Sequence, residues 1–189
     1  MNFENLPRRV KRRASGYLFG LLKQATITFA SPPMIEGYWP KIANAGTMTF
    51  GNRCIFSSAR MRHLISAGKN AVLEIGHHAF LNDGVNICAT QSITIGNFVK
   101  IADMVSIFDS DFHPVAPDQP VRQKPVIIGD NVWIGANSII LAGVRIGNHA
   151  VIAANSVVNT DVPAKSVVAG TPARLVKTFD APDGWVRGG

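Results

Sequence analysis

The segment Phe108-Asp109-Ser110-Asp111-Phe112-His113-Pro114 gathers the residue types best suited to proton transfer. An ordinary imidazole has a pKa of ~6.5, so at neutral pH it is mostly free to take a proton from a hydroxyl that is otherwise a poor nucleophile. Such a base works better when its second ring nitrogen is held, and Asp109 and Asp111 are the candidates for that role. An extended start to the segment puts Asp111 and His113 on one side. The competing reading makes all three solvated loop residues. A second constellation is Asn82-Asp83, within Ala79-Phe80-Leu81-Asn82-Asp83-Gly84. An amide can both donate to and accept from a hydroxyl, although asparagine is also favoured at tight corners for its tolerance of turn geometry. The remaining histidines, His63, His77, His78 and His149, do not form a ligand set with His113. No Cys/His spacing matches a zinc site, so no metal is expected.

These residues need a scaffold, and a repeat supplies it. Ile128, Ile134, Ile140, Ile146, Ile152 and Val158 recur every sixth position, and small or β-branched residues follow four positions after each. A period of six fits neither an amphipathic helix nor a simple alternating strand. It fits a short strand plus a corner, with three such faces closing one coil of ~18 residues and the coils stacking to bury their aliphatics. Ile75, Leu81, Ile87 and Ile93 continue the period upstream. Ile95, Ile101 and Ile107 continue it in a second phase, offset by two residues, which implies a bulge near Gln91–Thr94. Between Ile107 and Ile128 the repeat stops, and residues 108–126, with four prolines, are expected to leave the coil as a long loop. Long loops on a regular scaffold are usually functional.

Composition sets the remaining bounds. The chain of 189 residues is 47% hydrophobic, enough for a sizeable core, and carries a net charge of +7. No apolar run reaches the ~20 residues that span a bilayer, and the N-terminus lacks the features of a signal peptide. Cys54 and Cys88 make no disulfide framework. Three regions are expected: 1–45 with one amphipathic helix ending before Ser31-Pro32-Pro33, 46–170 with the repeat, and a tail over 171–189. The cluster Arg8, Arg9, Lys11, Arg12, Arg13, followed by Leu18, Phe19, Leu21 and Leu22, permits two readings. It can cap the open end of the stack, the reading preferred here, or lie on an anionic membrane surface. Nucleic acid is not expected, because a basic patch with interleaved aromatics is confined to this end.

The stretch from Ile128 to Val158, followed by Val167-Val168-Ala169-Gly170-Thr171-Pro172-Ala173-Arg174, resembles the hexapeptide-repeat acyltransferases. The likeness is to the galactoside, maltose and surface-polysaccharide O-acetyltransferases and covers roughly residues 75–177. It implies an all-β fold, a left-handed parallel β-helix, with an extruded catalytic loop and assembly as a homotrimer. It also implies acetyl-CoA as cosubstrate and a sugar or polysaccharide acceptor. By the same resemblance His113 is the general base, and Asn82 and Asp83 meet the acceptor. Trp133, Ala136 and Ala154 line the pantetheine arm, while Arg174 and Lys177 approach the CoA phosphates. Thr171-Pro172 reads as the start of a short C-terminal helix presenting Arg174. Rival readings are a streptogramin-type antibiotic or serine O-acetyltransferase, or a non-catalytic β-helix binding protein. The large N-terminal helical domain typical of the serine enzymes does not fit in 45 residues. A β-helix carbonic anhydrase needs a histidine five positions from His113, where Asp118 stands. A cytoplasmic location is expected, with contact of the N-terminal segment to the inner face of the membrane as the alternative to its capping role.

Overall fold

The structure, a computed structural model, describes residues 8–23 and 26–187, with side chains of the N-terminal helix described from Val10 to Gly20. The expectations for Arg8, Arg9, Leu21 and Leu22 concern side chains outside the described residues.

Helix α1 (Arg8–Lys23) precedes a stack of coils, each made of three short strands. The first two coils are β1 (Thr28–Phe29), β2 (Met34–Gly37), β3 (Lys41–Asn44) and β4 (Thr47–Phe50), β5 (Ile55–Ser58), β6 (Leu64–Ala67). Next come β7 (Val72–Ile75), β8 (Phe80–Leu81), β9 (Asn86–Ala89) and β10 (Ser92–Ile95), β11 (Lys100–Ile101), β12 (Ser106–Phe108). The last two are β13 (Val126–Ile128), β14 (Trp133–Ile134), β15 (Ile139–Ile140) and β16 (Arg145–Ile146), β17 (Val151–Ile152), β18 (Val157–Val158). Strands one coil apart pair in parallel and form three flat faces. Face A runs from β1 to β16, face B from β2 to β17 and onward, and face C from β3 to β18. The fold is the left-handed parallel β-helix.

The sixfold period is the step from one face to the next. Ile75, Ile95, Ile128 and Ile146 stack on face A. Leu81, Ile101, Ile134 and Ile152 stack on face B, and Ile87, Ile107, Ile140 and Val158 on face C. None is more than 2% exposed. Burying one such side chain contributes about 2 kcal/mol, and a single coil has nothing to bury it against.

Three expectations change in detail. The stack starts at Thr28, well before residue 46. Its first coils have corners of unequal length, so Phe29, Ile35, Ile42, Phe50, Phe56 and Ile65 face the interior without a fixed spacing. The phase offset is absorbed at the Thr90–Gln91 corner, which leaves β10 regular, with Ile93 and Ile95 both buried in register over Leu73 and Ile75. The C-terminal helix is absent. Residues there form β19 (Ser166–Gly170) and β20 (Ala173–Thr178), an antiparallel hairpin. The exposed edge of β19 would otherwise leave backbone groups unpaired, and β20 covers it.

Side chains tie the coils together at the corner between faces A and B. Asn52 donates its amide to His77 Nδ1 (2.9 Å) and His77 donates to Asn97 Oδ1 (2.8 Å). Asn97 donates to Asp130 Oδ1 (2.6 Å) and Asp130 to Asn148 Oδ1 (2.9 Å). At the other end, α1 plugs the stack. Phe19 is fully buried, edge-on to Phe29 and Trp39 with ring centroids at 6.0 and 5.5 Å. Trp39 Nε1 donates to Ser15 Oγ at 2.7 Å. The helix passes so close to Pro33 that a Cβ on Gly16 would lie 1.5 Å from its carbonyl oxygen. The preferred capping role is therefore realised.

Candidate active site

One edge of the prism, between faces B and C, collects most of the predicted residues. Its corners stack through backbone bonds, with Met104 N on Asp83 O, Asn137 N on Asp103 O and Asn155 N on Ala136 O, each 2.8 Å. Thr171, in the turn of the hairpin, donates its hydroxyl to Asn155 O at 3.3 Å. Asp83, Asp103, Ala136 and Ala154 thus lie in one column that leads to Arg174 on β20, and Asn82 stands beside it, one residue earlier at the same corner. Ala154, Arg174 and Lys177 are exposed. Trp133 sits on the adjacent outer face of β14, 45% exposed.

Asp83 is in this column but is already engaged. It is buried, and its Oδ1 accepts the amides of Arg60 (2.8 Å) and Met61 (3.1 Å) while Oδ2 accepts Arg60 Nε (3.1 Å). Burial alone would raise its pKa, but the Arg60 and Met61 amides and the Arg60 guanidinium together hold it below the usual carboxylate range. Arg60 also pairs with Asp103 at 2.6 Å. Asn82, the residue before Asp83, is only half-buried.

The long loop leaves the prism at the other edge of face C, after Phe108. His113 is exposed on it, and among the described residues none hydrogen-bonds to its ring. Neither aspartate orients it as expected. Asp109 is fully buried and accepts from Thr90 N and Oγ1 (both 2.8 Å) and from Gln91 N and Ser92 N (both 2.7 Å). Asp111 pairs with Arg122 Nε at 3.2 Å, and only its backbone carbonyl meets His113, through the His113 amide at 2.7 Å. The loop base is closed by Asp111 N to Arg122 O (3.0 Å) and Lys124 N to Asp109 O (2.9 Å). The two aspartates hold the loop, and the loop holds His113. Within one chain, His113 and Asn82 stand at opposite edges of face C.

Sequence reasoning missed the C-terminal tail. Trp185 stacks on His149 (5.9 Å), Arg187 N donates to Asn131 Oδ1 (2.9 Å), and the Arg187 guanidinium lies 5.9 Å from the Trp133 ring centroid. A tryptophan and an arginine at the end of a chain were the available signal. No group of His, Cys, Asp or Glu that could hold a metal occurs among the described residues.

The family described as bacterial transferase hexapeptide (six repeats) matches residues 125–160. WbbJ of Escherichia coli (strain K12), named as a lipopolysaccharide biosynthesis O-acetyl transferase, is 32% identical over 151 residues, covering 74% of this chain and 76% of the relative. The chain belongs to the hexapeptide-repeat acetyltransferases. Among other members of this family, the galactoside O-acetyltransferase of Escherichia coli (strain K12) is 34% identical over 121 residues, 62% of this chain and 59% of that relative. A hexapeptide-repeat acetyltransferase of Vibrio cholerae, solved with acetyl coenzyme A, superposes with a TM-score of 0.55 at 30% identity, covering 85% of this chain and 76% of its own. As a hexapeptide-repeat acetyltransferase, the chain is an enzyme.

Proposed function

We propose that this acetyltransferase moves the acetyl group of acetyl-CoA to a sugar hydroxyl of a surface polysaccharide or its precursor. The observation that carries the reading is the extruded loop, which presents an exposed histidine at one edge of face C, while Asn82, Ala136 and Ala154 line the other edge and lead to Arg174. Relatives that acetylate galactoside, or that bear the name of lipopolysaccharide biosynthesis, support the sugar acceptor.

His113 takes the proton from the acceptor hydroxyl as its oxygen attacks the thioester carbonyl carbon. The C–S bond then breaks, and the departing sulfur recovers the proton from the imidazolium, giving an O-acetyl ester and CoA thiol. Asn82 orients the acceptor. Small side chains at Ala136 and Ala154 let the pantetheine arm approach the backbone, Trp133 packs beside it, and Arg174 and Lys177 meet the phosphates. Asp83, Asp109 and Asp111 are positioning residues. Because His113 and Asn82 stand at opposite edges of one chain, the working assembly is a homotrimer in which the loop of one subunit reaches the column of the next. We assign the reaction to the cytoplasm, where acetyl-CoA is available.

The test is a panel of sugar, nucleotide-sugar, antibiotic and serine acceptors with acetyl-CoA, read by mass spectrometry. A gain of one acetyl group on sugars alone supports the reading. Transfer confined to serine or to an antibiotic would replace it.

A further inference from the structure

Helix α1 has a second face. Phe19, Gly16 and Gly20 are buried against the prism, and Arg12 is paired with Glu36 at 3.4 Å. On the opposite side Val10, Ala14, Tyr17 and Leu18 follow the i, i+4, i+7, i+8 spacing of one helical stripe. Val10, Tyr17 and Leu18 are 45%, 58% and 50% exposed. The helix keeps a large apolar surface outward although it has already capped the core. Cations flank this stripe, with Arg13 on one side and Lys11 on the other. Arg53 shares a cleft with Arg13 and Tyr17.

Charge is distributed along the same axis. Residues 1–70 contain 11 Lys or Arg and two Glu, a net of +9. Residues 71–189 contain eight Lys or Arg and 10 Asp or Glu, a net of −2, and the two parts sum to the +7 of the chain. The coils rise in sequence order, so the positive charge is concentrated at the end that α1 covers. An apolar stripe rimmed by cations is what a helix needs to lie in the headgroup region of an anionic bilayer. A soluble polyanion would use the cations and leave Tyr17 and Leu18 without a purpose.

We infer that the α1 end of the prism docks on an anionic membrane surface through Val10, Tyr17 and Leu18, with Arg13 and Arg53 on lipid phosphates. Among the described residues no helix is long and apolar enough to cross a membrane, so the contact is peripheral. The prism axis then stands away from the bilayer.

The full-length protein is tested by cosedimentation with phosphatidylglycerol–phosphatidylcholine vesicles and with phosphatidylcholine alone, with CoA binding measured by calorimetry on the same samples. Wild type is expected to pellet with the anionic vesicles only. Arg13→Glu with Arg53→Glu should weaken this on the order of tenfold or more. Tyr17→Ser with Leu18→Ser should weaken it comparably, while circular dichroism and CoA binding stay at wild-type values. Absence of pelleting by wild type with CoA binding intact overturns the docking surface and leaves the acetyl-transfer reading standing. Full vesicle binding by the Tyr17/Leu18 variant would mark a merely electrostatic patch, suited to a polyanion such as RNA, and would overturn it as well. A halving of the solution mass in that variant would assign the stripe to a second copy of this chain instead.

Discussion

Thr90 and Asp109 are joined twice, the Thr90 amide and hydroxyl both donating to the same carboxylate oxygen at 2.8 Å. Asp109 is the point at which the chain leaves the prism, so the loop departs from a residue fastened to the coil below. Asp109→Ala would leave three amides and a hydroxyl around a buried carboxylate site without their acceptor, at a cost on the order of 3 kcal/mol. Urea unfolding should show that loss, and Asp109→Asn, which keeps the shape and part of the accepting capacity, should recover some of it. Equal stability of Asp109→Ala and wild type would show that the corner is held by something else.

His113→Ala should lower turnover by about 100- to 10,000-fold, the usual contribution of a general base. CoA affinity, measured by calorimetry, should stay near the wild-type value, because the proposed cofactor contacts are on other elements. A variant that is folded, trimeric and still close to wild-type turnover would remove the catalytic assignment and favour a binding protein.

Light scattering should give three times the 20.3 kDa chain mass. A stricter check mixes two inactive variants, His113→Ala and Asn82→Ala, under conditions that exchange subunits. If each site takes its histidine from one chain and its asparagine from the next, random mixing should restore about a quarter of the sites. Mixtures as inactive as their parents would place both residues in one chain.

His63 should make the first coils acid-sensitive. It is fully buried, in the interior position that Val85 and Val105 occupy in later coils, and neither ring nitrogen has a hydrogen-bond partner. Burial depresses its pKa from 6.5 to about 4, partly countered by the Asp83 charge. The unfolded chain therefore binds a proton between those values that the folded chain refuses, so stability falls as pH drops from ~6.5 to ~4, by up to about 3 kcal/mol. His63→Val should flatten thermal stability across that window. Parallel pH dependence in the variant and wild type would show that other groups set the acid limit.

The later coils were legible because their corners have constant length, so Ile128 to Val158 kept one phase. The first coils were not, because corners such as Ser31-Pro32-Pro33 and Ser58–Arg62 vary in length and scatter Ile35, Phe56 and Ile65. His113 could be found from its chemistry and its place in a repeat gap. The duty of Asp109 could not, since nothing in the local sequence says that its acceptors serve the corner 17 to 19 residues earlier. The hairpin at Ala173 was misread for a related reason. A proline that suits a helix start also suits a turn, and only the open edge of β19 decides between them.

The corner ladder from Asn52 to Asn148 has a direction. Each backbone amide is satisfied by a side chain belonging to the following coil, so a coil emerging during synthesis is completed only when its successor arrives. At the last corner stands Ala164, whose methyl accepts nothing and packs against Gly147 instead. Prism length is thus written as a string of joints of one geometry, each an amide held by a side chain of the next coil, with a terminator. A duplicated coil carrying its own corner Asn or Asp could be spliced into the middle without disturbing either end, which lets the span between the α1 end and the hairpin be lengthened in whole coils while the chemistry of the loop is inherited unchanged.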